Sequence, residues 1–302
     1  MSGQSAGARA RPAREGLPAA PRRPYDGFFD VEQIFDYLRG YLGHEAERGR
    51  SPERVRTLMY QYGPVAGQIR EIIADSLRVE GTDVPAGFVV VTVGAQEAML
   101  IVLRALVTGP DDAFLVSSPC FMGITGAARL LDIPVTPVEE DAGGFSLAAL
   151  EETIVRERER ERERGRRPRA FYVTPDHSNP SGTSMSLRDR TALLDRAARH
   201  DLLVVEDSPY RLVSHGPLLP TLKPLDRDHR VAHPGSFAKA VFPGARLGYV
   251  VADQPATGGR PRARSGACRS ATPRPSTSPW PRRNRSSRPC RNVPTTPGHC
   301  AT

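Results

Sequence analysis

Seven short apolar runs rich in β-branched residues recur along the middle of the chain, at 88–93, 113–117, 135–138, 170–174, 202–206, 231–234 and 247–251. Helical stretches separate them. A strand with one wet face alternates apolar and polar residues, so near-continuous apolar runs mean strands covered on both faces. Helices between such strands supply the crossovers that parallel neighbours require. The pattern predicts an α/β domain with a mostly parallel sheet between helices. Helical spacing also precedes the first run, over 31–42 and over 66–77, where Ile69, Ile72, Ile73 and Leu77 share one side.

Composition sets the limits of that domain. Of the 302 residues, 1–24 are Ala-, Arg-, Gly- and Pro-rich without periodicity and read as a disordered extension. Residues 25–253 read as the globular body. Residues 254–302 are Arg, Pro, Ser and Thr with isolated Trp280 and Val293, too few apolar groups to offset the entropy of ordering. This last stretch holds ten Arg and no Lys, Asp or Glu, and the whole chain carries a formal charge of +8, which leaves 1–253 at −2. The basic character belongs to the tail, so no nucleic-acid partner is expected of the body. The abrupt change after a well-formed strand is the bias a shifted reading frame produces in a GC-rich gene, and that origin is the expectation for the tail.

Other signals are quiet. Cys268, Cys290 and Cys300 lie in the tail without zinc-ligand spacing, and Cys120 stands alone in the body, so neither a metal site nor a disulfide scaffold is expected. No apolar run approaches the roughly 20 residues of a membrane span. The N-terminus lacks the apolar centre of a secretory signal. The expectation is a soluble, cytoplasmic protein with no membrane partner. Residues 156–164 alternate Arg and Glu, which puts opposite charges at i,i+3 and like charges at i,i+4, so the local electrostatics cancel. This run is expected to be a solvated helix end leading into a loop over 165–169.

Four segments carry chemistry. Gly235-Ser236-Phe237-Ala238-Lys239, followed by Arg246, places an amine just after a strand, flanked by a hydroxyl and a guanidinium. An amine can bond an aldehyde cofactor while the other two hold its phosphate. Val204-Val205-Glu206-Asp207-Ser208-Pro209-Tyr210 puts a carboxylate at the carboxyl end of an apolar strand, where open α/β sheets bind ligands. Such a carboxylate can pair with a protonated pyridine nitrogen, and Tyr210 can reach the same ring. Thr174-Pro175-Asp176-His177-Ser178-Asn179-Pro180 ends another strand in a polar loop, with Asn179 as a neutral donor. Val91-Thr92-Val93-Gly94-Ala95-Gln96 is a strand, a glycine turn and a helix start, whose free N–H groups suit a phosphate.

In order and spacing these segments resemble the fold-type-I pyridoxal-phosphate enzymes, the class I/II aminotransferases, and look most like the 2-aminoadipate branch. The resemblance covers about residues 60–252. It implies pyridoxal 5′-phosphate as cofactor, with Lys239 forming the Schiff base and then serving as base in the 1,3-proton shift. By the same resemblance Asp207 pairs with the ring nitrogen, and Asn179 and Tyr210 bind the 3′-oxygen. Ala95, Gln96, Ser236 and Arg246 surround the phosphate. Phe121, in Ser118-Pro119-Cys120-Phe121, stacks on the ring, although tyrosine is more usual there. Tyr62, in Met59-Tyr60-Gln61-Tyr62-Gly63-Pro64, reaches the phosphate of a neighbouring subunit, which implies a homodimer; Tyr60 competes for that role.

The chain departs from the family where a long C-terminal segment normally builds the small domain and carries the arginine for the substrate carboxylate. No tail arginine sits in a matching context. The expectation is a large domain whose small domain is largely missing, one that keeps the cofactor cradle with little turnover. The function implied is transfer of an amino group between an amino acid and a 2-keto acid. The alternatives are an amino-acid oxidase, cyclase or lyase using the same cradle, an inactive fragment, or a DNA-binding regulator, against which the short stretch before Tyr25 weighs.

Overall fold

The computed structural model describes residues 30–254, apart from Tyr62, Pro110, Ala142, 165–166 and 215–217; the side chains of 160–164 are also outside the description. The extension over 1–24 and the tail beyond Gln254 therefore lie outside the described residues, as does Tyr62.

All seven apolar runs are strands: β1 (Val89–Thr92), β2 (Asp112–Ser118), β3 (Val135–Glu139), β4 (Arg167–Val173), β5 (Leu203–Glu206), β6 (Val231–Ser236) and β7 (Gly248–Val251). They form one sheet in the order β1-β7-β6-β5-β4-β2-β3. β2, β3, β4, β5 and β6 run parallel to one another, and β7 runs against both β1 and β6. The helices are α1 (Gln33–Glu47), α2 (Pro52–Tyr60), α3 (Arg70–Val79), α4 (Ala95–Leu106), α5 (Met122–Leu130), α6 (Leu147–Arg164), α7 (Leu187–Arg199) and the short α8 (Leu222–Leu225).

Side chains on successive strand residues point to opposite faces, and the core divides accordingly. Phe114, Val116, Ala170, Tyr172, Leu203, Val205 and Ala232 pack against α4 and α5. Leu115, Phe171, Val173, Val204 and Val231 pack on the other face against α6, α7 and α8. At the β1 edge, α3 closes a third cluster of Ile73, Ala74 and Leu77 against Val89, Tyr249 and Val251. Phe114, Leu115 and Phe171 are fully buried, each contributing about 1.5–3 kcal/mol by leaving water.

The helix ends follow local chemistry. Ser51 caps α2 by accepting from the Arg54 N–H at 3.3 Å, with Pro52 at the first helical position. Ser186 caps α7 by accepting from the Asp189 N–H at 3.2 Å.

The sequence reading needs correction at four places. α1 starts two residues later than expected and continues through Glu47. α3 begins at Arg70, not at 66, because Gly67 sits at φ +97° against Val91, a backbone state outside the helix. Ile72 faces solvent, while Ile73, Ala74 and Leu77 form the inner side. The loop expected over 165–169 is already strand from Arg167. Pro168 pairs opposite Ala113, and a register shift between Ala113 and Phe114 leaves Arg169 unmatched across the ladder. A bulge is how a proline sits at the start of an inner strand. The Arg/Glu run is not wholly solvated either: Glu157 is buried, and Arg158 donates to the His200 carbonyl on the neighbouring α7 end.

Candidate active site

The sheet directs its chemistry to one end. α4, the β2–α5 connection and the loops after β4, β5 and β6 all leave from the carboxyl ends of parallel strands. β7 enters at that same end because it runs the other way. A cavity of about 230 Å³ lies there, and it is lined by Ala95, Gln96, Phe121, Asn179, Asp207, Tyr210, Ser236, Lys239 and Arg246. Nine of the ten residues singled out in the sequence thus share one cavity. Thr174, Met99, Pro209 and Ala238 complete its wall.

Gly94 builds the floor. It caps α4 at φ 86° and ψ 175°, a backbone region open to glycine. A Cβ added there would stand 2.7 Å from an Arg246 guanidinium nitrogen, so this glycine lets the cation lie against the helix start. Arg246 itself is left-handed, at φ 52°, just after a single 3₁₀ turn over Pro243–Ala245. Glu97 accepts from the Val93 N–H at 2.5 Å and fixes the turn from the outside. The result is a helix N-terminus, with its positive dipole end, facing a guanidinium across a glycine: an anion site. Ser236 adds a hydroxyl and accepts from the Ala238 N–H at 3.2 Å, which bends the chain towards Lys239. The Lys239 Nζ lies 5.9 Å from the centre of the Tyr210 ring.

Asp207 is the electrostatic centre. It is buried, and one carboxylate oxygen accepts from the Tyr172 hydroxyl at 2.7 Å. The other oxygen, Oδ1, is buried with no hydrogen-bond partner among the described residues. Burial pushes the carboxyl up to about 6; the Tyr172 hydrogen bond and the charge of His233 oppose this, and Glu206 adds to it. Burial and the Asp207 charge raise the Tyr172 phenol well above its usual range, so it stays a donor. Thr174 donates in turn to the Tyr172 oxygen at 3.4 Å. An acceptor left open in a cavity wall is costly unless a ligand donor completes it.

Sequence reasoning missed Tyr172. It sits inside an apolar strand and reads as core, although its two-residue spacing from Thr174, just past the end of β4, turns both towards the same side. It also missed Gly123, where any Cβ would collide with Gln96 and the Phe121 ring, so that this glycine lets the ring lie over the helix start.

The model of the aminotransferase class I and II family matches residues 53–281. The chain belongs to the class I and II aminotransferases. The chain is 46% identical over 245 residues to the (S)-3,5-dihydroxyphenylglycine transaminase of Amycolatopsis orientalis, covering 80% of this chain and 55% of that one. Among solved structures it is similar to the α-aminoadipate aminotransferase LysN of Thermus thermophilus, complexed with N-(5′-phosphopyridoxyl)-L-leucine, with 29% identity, a TM-score of 0.64 and coverage of 78% and 55%. The kynurenine aminotransferase of Pyrococcus horikoshii gives 26% identity, a TM-score of 0.63 and coverage of 76% and 54%. The chain spans about half the length of the curated relatives it matches. Enzymes of this family use pyridoxal 5′-phosphate. The open Asp207 oxygen, the glycine–guanidinium anion site and the amine of Lys239 fit that group's ring nitrogen, phosphate and aldehyde.

Proposed function

We propose that the chain holds pyridoxal 5′-phosphate and takes part in moving an amino group from an amino acid to a 2-keto acid. The observation that carries this reading is the buried, unpartnered Oδ1 of Asp207 in the same cavity wall as Lys239. When bound, the cofactor supplies an electrophilic aldehyde on an electron-withdrawing ring. Asp207 accepts the ring N–H and keeps that nitrogen protonated, a role that needs the carboxylate and not the acid. Arg246, Ser236 and the first N–H groups of α4, at Ala95 and Gln96, bind the phosphate and fix the ring's orientation. Phe121, in the same cavity wall, would cover one face of the ring. Asn179 and Tyr210 donate to the ring oxygen. The Lys239 amine would hold the group by its aldehyde and would be the residue that moves a proton at the substrate carbon.

The named relative acts on an arylglycine, and amino acids of that class with their keto acids are the substrates we propose to assay first. We read residues 25–253 as the cofactor-holding large domain, and we propose a cytoplasmic homodimer in which Tyr62 reaches a neighbour's phosphate. The test is the visible spectrum of the purified chain with added pyridoxal phosphate. The expected result is an aldimine band that is absent in Lys239→Ala and that borohydride abolishes, leaving the cofactor covalently attached to the chain. A folded chain with no such band would overturn it.

A further inference from the structure

Asp207 is fastened to β4 at both of its ends. Its backbone N–H donates to the Val173 carbonyl at 3.1 Å, one residue beyond the last pair of the β4–β5 ladder, Val173 with Glu206. Its side chain accepts through Oδ2 from the Tyr172 hydroxyl at 2.7 Å. The residue before it is held differently. Glu206 lies on the opposite face of β5, where it accepts from the Leu222 N–H at 2.7 Å and the Lys223 N–H at 2.9 Å. His233 on β6 stands beside it, with Nδ1 3.4 Å from Oε2. The backbone donors to Glu206 tie the short α8 to the sheet. The donor to Asp207 comes from the core beneath the cavity.

Tyr172 itself has nowhere to go. It sits on an inner strand and pairs with Val116 of β2 on one side and Val205 of β5 on the other. Its side chain is fully buried in the cluster that holds Phe114, Val116, Ala170 and Val205. Phenylalanine would fill that space without bringing a hydroxyl into the core, which costs free energy unless the group is hydrogen-bonded. Here it is hydrogen-bonded, and with a direction. Thr174 donates to the Tyr172 oxygen at 3.4 Å, so the phenol's own proton is the one given to Asp207. Thr174 and Asp207 both line the cavity. The row Thr174–Tyr172–Asp207 thus leaves the cavity wall, passes through the core and returns to the wall at the carboxylate. The terminal torsion of an aspartate is broad and roughly two-fold, so it does not by itself choose where the oxygens point. A hydrogen bond to one oxygen, from a ring that cannot turn away, makes that choice.

We propose that Tyr172 is a positioning residue of this site: its hydroxyl, oriented by Thr174, pins Oδ2 of Asp207 to β4 and so turns Oδ1 towards the ring N–H of the cofactor. The inference rests on the cofactor reading for what Oδ1 meets, whereas the anchoring belongs to the chain alone. Lys239 and Arg246 line the same cavity as Asp207. Both stay in place in the variants below, so a difference between chains reports the hydroxyl.

The experiment pairs Tyr172→Phe, which deletes a single oxygen atom, with two ligands whose Kd values are followed by absorbance. One is pyridoxal 5′-phosphate, and the other is its carbon analogue, with the same aldehyde and phosphate but C–H in place of the ring nitrogen. Tyr172→Phe is expected to weaken the first about tenfold and the second less than about twofold, because only the first offers an N–H to Oδ1. Equal losses for the two ligands, or no loss for either, would overturn the proposal. The second readout needs no cofactor: a carbon-13 NMR titration of the Asp207 carboxyl in the full chain. Losing a donor to the charged form is expected to move its midpoint up from near 6 by about one pH unit, and an unmoved midpoint would also overturn the proposal. If Tyr172→Phe does not fold, Thr174→Val, which removes the group that orients the hydroxyl, decides by the same two readouts, with about threefold in place of tenfold. A chain that takes neither ligand but shows the moved midpoint would overturn the cofactor reading and leave the anchoring of Asp207 by Tyr172 intact. Tight binding of both ligands with an unmoved midpoint would do the reverse.

Discussion

Two buried carboxylates stand near the carboxyl end of the sheet and are treated in opposite ways. Asp176, after β4, meets Arg190, whose guanidinium bonds both of its oxygens and the carbonyls of Pro175, Met185 and Pro220. Every arm of that fork ends on an acceptor, and the side chain of Arg190 is fully buried. Asp207, after β5, has one phenol and an open oxygen. Burial penalises both carboxylates. At Asp176 the chain offsets the penalty itself and ties three loops together. At Asp207 it leaves the penalty standing, which is sensible only where a ligand completes the set. A buried charge with all its partners in the chain belongs to the scaffold, and one with an open atom belongs to a site.

The contrast can be broken most sharply at Arg190. Arg190→Leu strands Asp176 and several carbonyls, and it is expected to cost about 4 kcal/mol of unfolding free energy by urea denaturation. A loss below about 1 kcal/mol would show that the two carboxylates are not different in kind.

The Asp207 side of the comparison has a pH signature. Its folded value, near 6, lies above the ordinary 3.8, so the folded state holds this proton more tightly than the unfolded chain. Stability of the cofactor-free chain from this group is therefore full below about pH 4 and is lost as pH rises through 6, by about 3 kcal/mol. Asp207→Asn removes the titration. Subtracting its urea midpoints from those of the wild type at pH 4 and pH 7 should isolate the slope, and a flat difference would contradict the burial argument.

A smaller effect is expected at the anion site. Gly94→Ala forces a side chain into a glycine-only backbone region beside Arg246, at about 2 kcal/mol of stability. Pyridoxal phosphate affinity, followed by its absorbance, should fall well beyond what that loss of fold explains. An unchanged affinity would remove Gly94 from the phosphate site.

The strands were legible because a sheet buried on both faces writes itself as apolar runs, and each of the seven overlaps the run the sequence offered, β4 starting earlier at Arg167. The helix at 66–77 was misjudged at its start because periodicity cannot register that Gly67 must pass close to Val91. The site was readable where its residues are conspicuous in type, as Lys239, Asp207 and Arg246 are. Tyr172 and His233 were not, since each lies inside a strand among apolar neighbours, and only the pairing of β4, β5, β6 and β7 reveals which carboxylate each one faces. Gly123 was invisible for a related reason, because its importance lies in the ring of Phe121 that passes over it.

The antiparallel placement of β7 has a consequence for how this protein can change over time. Because β6 and β7 form a hairpin, Lys239 and Arg246 are carried by its one connecting segment and both return to the same end of the sheet. The reactive amine and the guanidinium for the phosphate are thus heritable as a single cassette. A recombination that imports the hairpin brings both, and a deletion within it removes the alignment of both at once. The remaining contacts, spread over four other loops, are free to drift one at a time.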